Sequence, residues 1–281
     1  MNKSGTYHFH LISDASGETI RALTRACLVQ FDDIPKVEHH WSLIRTKRQL
    51  RPVIEGIKAE PGMVLYTLVN AVIRDFLEME CKRMNVPCVS VLDPVMKALG
   101  GYLGVKSKAR PGQQHQLDAE YFDRIEAMDF ALATDDGQRT RDYKEADVVV
   151  IGVSRTSKTP TCIYLANQGI KAANVPFIPG TPLPDALDER KDGLIVGLTK
   201  DPKRLVQIRR NRLRMLHQED ETDYTDPELV KREVRDAHRF FVEKGWPVID
   251  VTRRSIEETA AAILGLLEHR STAPGNAPDR T

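Results

Sequence analysis

The stretch DVVVIGVSRTSKTPT, Asp147 to Thr161, decides how this chain is read. The unbroken apolar run from Val148 to Ile151 is what a strand covered on both faces requires, because successive side chains point into opposite and equally apolar layers. Gly152 ends the run, a polar loop follows, and Lys158 opens a helical pattern with Pro160 in its first turn, where a missing N–H leaves nothing unpaired. A phosphate-binding loop reads G-x-x-x-x-G-K-[ST] between a strand and a helix, since backbone N–H groups and the helix N-terminus must converge on the anion. Gly152, Val153, Ser154, Arg155, Thr156, Ser157, Lys158 and Thr159 fill that frame. In it Lys158 would neutralise phosphate oxygens and the Thr159 hydroxyl would ligate a magnesium ion. One position breaks the pattern. Ser157 stands where glycine normally permits a positive φ, so either the loop has another geometry or Ser157 accepts a conformation costing ~1 kcal/mol or more. On residues alone, an anion site and a plain polar loop ending a core strand both remain open.

Outward from this loop, strand and helix patterns alternate. Toward the N-terminus, TYHFHLI at 6–12, VEHHWSLI at 37–44, MVLYTLV at 63–69 and PCVSVLD at 87–93 read as strands. Between them, Ile20, Leu23, Cys27 and Phe31 predict one apolar helix stripe, Leu50, Val53, Ile54 and Ile57 a second, and 71–83 a third helix. Ser13, Asp14 and Ser16 are available to cap the first of these helices. The segment after Leu103, GVKSKARPGQQHQL, is polar with a Pro-Gly pair and reads as a loop or boundary. Beyond it come a short helix near 118–128, the loop-bearing strand, a strand at VPFI, a Pro-rich loop at 179–184 and a strand LIVGLT at 194–199. Helices at 202–217 and 227–243, a strand PVIDV and a last helix with a Ser255/Glu258 capping-box spacing complete the pattern. This alternation predicts the α/β class: a mostly parallel N-terminal sheet region at 1–110, a P-loop-kinase-like α/β domain at 111–270 and a flexible tail at 271–281. No internal repeat of fixed period is present.

Composition narrows the functional classes. Lys plus Arg number 41 and Asp plus Glu 40, so no global field favours nucleic acid or membrane. No run approaches the ~20 apolar residues of a membrane span and the N-terminus lacks a signal-peptide core, so the expected location is the cytoplasm. Cys27, Cys81, Cys88 and Cys162 form no C-x-x-C pair and are read as reduced, buried thiols. His8 and His10 share a strand face while His39 and His40 point apart; none has ligand spacing in sequence, and all four are read as packing or surface residues. The helix KRLVQIRRNRLRML carries six Lys or Arg, from Lys203 to Arg214, and 219–228 carries six acids. Such runs are solvated or mutually paired faces, or else a basic surface that steers a protein partner or contacts phosphate.

The string GVSRTSKTPT followed by IYLANQGIKAANVPFIPG, together with HLISDASGET near the N-terminus and ATDDG before the loop, resembles the regulatory proteins of pyruvate, phosphate dikinase, over Tyr7 to Leu267. The resemblance implies a cytoplasmic, homodimeric, bifunctional enzyme. It would use ADP to phosphorylate an active-site threonine of the dikinase, and would remove that phosphate with inorganic phosphate, releasing pyrophosphate. A sister branch acts on phosphoenolpyruvate synthase, with a loop reading S-R-C-G-K-T; Thr156 and Ser157 match the dikinase branch instead. Carried onto this chain, the resemblance makes residues 152–159 the nucleotide-binding segment.

Of the acids, Asp135 and Asp136 in TDDGQ would point to opposite sides of an extended segment, leaving one to face the phosphates and orient the threonine or hold magnesium. An Asp-Gly turn is the alternative. Asp14 follows the first strand, on the crevice side of an open α/β sheet, as a catalytic candidate or a simple cap. Strand, loop and helix alone would equally suit a small-molecule P-loop kinase or a nucleotide-sensing module without catalysis.

Overall fold

The computed structural model describes residues 5–31, 34–108, 119–187, 193–216 and 223–271. The chain divides into two compact units, Met1–Gln116 and Leu117–Thr281.

In the first unit β1 (Tyr7–Ser13), α1 (Glu18–Leu28), β2 (Lys36–Trp41), α2 (Lys47–Ala59), β3 (Met63–Thr67), α3 (Ala71–Arg83), β4 (Cys88–Ser90) and α4 (Asp93–Leu103) alternate along the chain. The sheet order is β2-β1-β3-β4 and every pairing is parallel. One face packs Ile12, Val64 and Tyr66 against Leu50, Val53, Ile54 and Ile57 of α2 and Ile73, Leu77 and Cys81 of α3. The other packs Phe9 and Leu11 against Ile20 and Leu28 of α1. Burial of each such side chain contributes about 1.5–3 kcal/mol, which holds the layers together.

Three expectations change here. The stripe that α1 buries is Ile20, Thr24 and Leu28, while Leu23, Cys27 and Phe31 are exposed. Spacings of four keep one face turned to the sheet, and Thr24 can be buried on it because its methyl group packs; the larger apolar residues one position away fall on the outer side. Of the cysteines, Cys81 and Cys162 are buried, Cys88 is half-buried, and Cys27 is on the surface. Nor do Ser13, Asp14 or Ser16 cap α1: its N-cap is Gly17, in the left-handed conformation, with no side-chain cap. Asp14 instead accepts the Val69 N–H, and Ser13 that of Ala15. Helix α4, for which the sequence pattern gave no assignment, buries none of its residues.

In the second unit α5 (Ala119–Ala133), β5 (Val148–Gly152), α6 (Lys158–Ala166), β6 (Ala172–Pro176), β7 (Leu194–Thr199), α7 (Pro202–Met215), α8 (Pro227–Glu243), β8 (Val248–Asp250) and α9 (Ile256–Ser271) follow in order. Their sheet is β6-β5-β7-β8, again wholly parallel. β5 is buried at all five positions. Its Val149 and Ile151 enter the layer containing Leu205 of α7 and Val230 and Phe241 of α8; Val148 and Val150 enter the layer of Leu165 of α6 and Ile263 of α9. Helix starts follow local chemistry: Asp201 and Asp226 accept first-turn N–H groups of α7 and α8, each followed by proline. Ser255 and Glu258 bond each other's backbone N–H at 3.1 and 2.8 Å, the reciprocal cap read from the sequence. The tail expected from 271, apart from Ser271, and the part of the loop expected after Leu103 that runs from 109 to 118 lie outside the described residues.

Candidate active site

Because β5 is central, its C-terminal end opens at the middle of the sheet's carboxyl edge, where open α/β sheets bind ligands. Gly152 is the last strand residue, and a Cβ there would lie 2.7 Å from Thr156 Oγ1 and 2.9 Å from the Leu198 carbonyl oxygen. Glycine is needed here for close approach, not for its φ. The loop then folds on itself. Buried Thr156 donates its hydroxyl to the Val153 carbonyl at 2.9 Å, and Lys158 Nζ donates to the same oxygen at 3.2 Å. Arg155 and Ser157 both have positive φ, +71° and +67°. Such alternation turns successive N–H groups toward one concavity, which suits an anion. Ser157 thus takes the left-handed conformation for which glycine is the ordinary choice, at the cost of backbone strain. No side chain caps the N-terminus of α6, which leaves its first-turn N–H groups directed into the bend.

A cavity of about 360 Å³ lies over this bend, lined by Asp136, Ser154, Arg155, Ser157, Lys158, Thr159, Pro160, Pro176, Lys200 and Ile208. Lys158 is only 6% exposed, and burial lowers its pKa, a shift that the negative charges of Asp136 and Asp135 oppose. Lys200, the residue after β7, is also buried; it donates to the Arg155 carbonyl at 3.3 Å, and burial with the nearby Arg204 charge lowers its pKa. Two ammonium groups partly stripped of water and beside a preformed bend are suited to an anion, which would restore their charge balance.

Asp135 and Asp136 divide their tasks, though not on an extended segment. They occupy a short 3-10 turn, Asp135–Gly137, with Asp136 at φ +49°. Asp135 accepts the Thr159 hydroxyl at 2.9 Å and also the Asn174 side-chain amide, which contacts Thr159 Oγ1 at 3.0 Å. Asp136 lines the cavity. The residues of 152–159 and both aspartates are therefore brought to one place. Asp14 belongs to the other unit, at the end of β1, where burial raises its pKa while its bond to the Val69 N–H at 2.8 Å acts the other way.

Several participants are not visible from motifs. Arg209 of the basic helix is 1% exposed, not part of a solvated face. It forms a bidentate pair with Glu233 of α8 at 2.7 and 3.0 Å, donates to the carbonyls of Ser154 and Tyr224 at 3.2 Å each, and lies 4.5 Å over the Tyr224 ring. Tyr224 in turn contacts Ser154 Oγ at 3.0 Å and Arg155 Nε at 3.4 Å. This strap fixes the loop from beneath. A second cavity of about 670 Å³, with Phe177, Ile178, Tyr224 and Leu229 among its walls, shares Ser154 and Pro176 with the first. Lys200 could have been found from its place just beyond a buried strand; Arg209 and Asn174 carry no comparable signal.

Comparison with known proteins places these features in a family context. A family model described as kinase/pyrophosphorylase matches residues 9–264. A protein of Paramagnetospirillum magneticum is 55% identical over 93% of this chain and 84% of its own length. One of Rhodospirillum rubrum is 52% identical over 96% of this chain and 97% of its own, and one of Caulobacter vibrioides 52% identical over 93% and 83%. All three are named as regulatory proteins of pyruvate, phosphate dikinase.

Proposed function

This chain belongs to the kinase/pyrophosphorylase family, and we propose that it regulates a pyruvate, phosphate dikinase by adding and removing a phosphate on a threonine. ADP is the donor for addition and inorganic phosphate the acceptor for removal. The observation that carries this reading is the bend at 152–159, preformed with positive φ at Arg155 and Ser157 and flanked by Lys158, Lys200 and Asp136 in one cavity. Its relatives' names supply the target.

In the forward direction the threonine oxygen attacks the β-phosphorus of ADP, the bond to the bridging oxygen breaks and AMP leaves. Loop amides and Lys158 hold the transferred phosphoryl group as its charge redistributes, and Lys200 adds a second positive charge on the same cavity wall. Asp136, which lines that cavity, accepts the hydroxyl proton. In reverse a phosphate oxygen attacks the phosphothreonine phosphorus, pyrophosphate forms, and Asp136 returns the proton to the threonine oxygen. The bend favours phosphate over water because its fixed N–H groups and the nearby ammonium groups of Lys158 and Lys200 attract an anion far more strongly than a neutral molecule. The neighbouring 670 Å³ cavity sets Phe177, Ile178, Tyr224 and Leu229 beside charged groups such as Asp223 and Arg232, a mixture suited to adenosine.

A magnesium ion fits the donors present. Thr159 and Asp135 supply hard oxygen ligands, and Asn174 beside them carries a buried amide oxygen without a hydrogen-bond partner among the described residues. When bound, the ion would neutralise phosphate charge. The homodimer implied by the resemblance belongs to the same proposal. Among the described residues no helix is long and apolar enough to cross a membrane.

The test incubates the whole chain with ADP labelled on the β-phosphate and, separately, a dikinase or a phosphoenolpyruvate synthase. Label in threonine of the dikinase, recovered as pyrophosphate only after phosphate is added, is the expected result. Transfer to the synthase alone would move the target to the sister branch; label in neither protein would sink the kinase reading.

A further inference from the structure

In the first unit a second cluster of chemistry-bearing groups lies apart from any residue assigned above. His8 Nδ1 lies 3.0 Å from His39 Nε2, and His39 Nε2 lies 3.5 Å from Glu60 Oε2, the three ligand atoms all falling within 4.8 Å of one another. Ligands at ~2.0–2.1 Å around a tetrahedral ion are about 3.3 Å apart, a spacing that the two measured distances bracket. Sequence spacing missed the cluster because its members come from three elements: β1, β2 and the C-cap of α2.

The surroundings hold these groups in place. His10 is fully buried and its ring stacks on that of His39, with centroids 4.5 Å apart. Trp41 Nε1 can only donate, and it lies 3.3 Å from His10 Nδ1; that nitrogen must therefore accept, so His10 carries its proton on Nε2 and donates it to the Glu60 carbonyl at 2.9 Å. His10 thus pins the backbone of one ligand while packing on another, the supporting role typical of residues behind a metal site. The chain after Glu60 is held equally closely: a Cβ at Gly62 would lie 2.1 Å from the His8 carbonyl oxygen, so only glycine lets Glu60-Pro61-Gly62 pass against β1. His8 and His39 are half-buried, and Glu60 is 53% exposed, leaving an approach from solvent and room for a water as fourth ligand.

We propose that His8 Nδ1, His39 Nε2 and Glu60 Oε2 form a divalent transition-metal site that takes Zn²⁺. Two imidazoles and a carboxylate suit this borderline ion, whereas Mg²⁺ and Ca²⁺ prefer all-oxygen sets. The site is independent of the phosphoryl-transfer reading, since none of its residues takes part in that chemistry.

The test titrates tag-free, metal-stripped full-length protein with Zn²⁺ by calorimetry, without nucleotide, and records the visible spectrum with Co²⁺ as a stand-in. Expected are one ion per chain, Co²⁺ bands that Zn²⁺ abolishes, and an affinity reduced about 100-fold by His39→Gln and about 10-fold by Glu60→Gln. His238→Gln, on the exposed face of α8, should change nothing. Should His39→Gln fail to fold, Glu60→Gln, a replacement at an exposed side chain, decides. Wild-type protein that takes no stoichiometric Zn²⁺, or Glu60→Gln protein that binds it as tightly as wild type, overturns the proposal.

Discussion

Replacing Ser157 by glycine and, separately, by alanine measures the strain stored in the phosphate-loop frame. Ser157 sits at φ +67°, ψ +27°, and its side chain caps nothing. An L-residue there costs ~1–2 kcal/mol relative to glycine, while glycine loses ~0.5–1 kcal/mol more conformational entropy on folding. The difference favours Ser157→Gly over Ser157→Ala by roughly 0.5–1 kcal/mol, and alanine controls for loss of the hydroxyl. For a unit of this size ~1 kcal/mol moves the melting midpoint by about 2–4 °C, so the glycine variant should melt about 1–4 °C above the alanine variant. Trp41 lies in one unit and Trp246 in the other. Thermal unfolding followed by fluorescence, with Trp41→Phe as a common background, therefore reports only the unit that holds the loop. ADP affinity should differ little between the two variants, because the bend is already formed without ligand. If the glycine variant melts at or below the alanine variant, Ser157 does not carry the strain argued here, and the loop does not mimic the glycine geometry.

Four further outcomes are expected. Lys158→Ala and Asp136→Asn should each reduce both transfer directions about 100-fold or more, the scale of a lost charge-stabilising group or base, in the labelled-ADP assay; wild-type rates would remove that residue from the chemistry. Gly152→Ala places a methyl group against the Leu198 carbonyl, and urea denaturation should show a loss of about 1–3 kcal/mol with ADP binding abolished. Arg209→Met leaves Glu233 without its buried partner and should destabilise by about 3 kcal/mol, much of which the double variant Arg209→Met/Glu233→Leu should restore. Finally, burial raises the Asp14 pKa, so the folded chain holds a proton there that the unfolded chain has released. Stability of the first unit should consequently fall as pH rises from about 4 toward the folded pKa, and Asp14→Asn, which can still accept the Val69 N–H, should remove that slope in urea midpoints measured across the range.

Much of this architecture was legible because periodicity reports burial. The run Val148 to Ile151 announced a two-sided strand and is one; Ala71–Arg83, Leu194–Thr199 and Pro227–Glu243 have the bounds that their patterns predicted. What escaped depended on contacts between distant segments. The helix α1 could present either of two adjacent stripes, and only packing on Phe9 and Leu11 selects the one containing Thr24. The row of basic residues read as a solvated, paired or steering surface without singling out any member, yet Arg209 is buried against Glu233, 24 positions away. Within the site, the linear frame revealed Lys158 and Thr159, whereas Asn174 joins Asp135 and Thr159 only through the pairing of β6 with β5. The turn at Asp135–Gly137, by contrast, is the alternative that the Asp136-Gly137 pair offered in the sequence, and both of those residues do have positive φ.

Though no letters recur along the chain, its halves are laid out on one plan: in each sheet the earliest strand sits inside, its successor to one side, and the two later strands to the other. Ser13 and Gly152 therefore end equivalent strands, and each half has its own mouth. Gly152 opens onto turned amides and ammonium groups, whereas beyond Ser13 the Asp14 carboxyl is buried and bonded to the Val69 N–H. One layout therefore does not carry one chemistry: the end of the inner strand is closed by its own backbone partner in the first half and left open as a bend of uncapped N–H groups in the second.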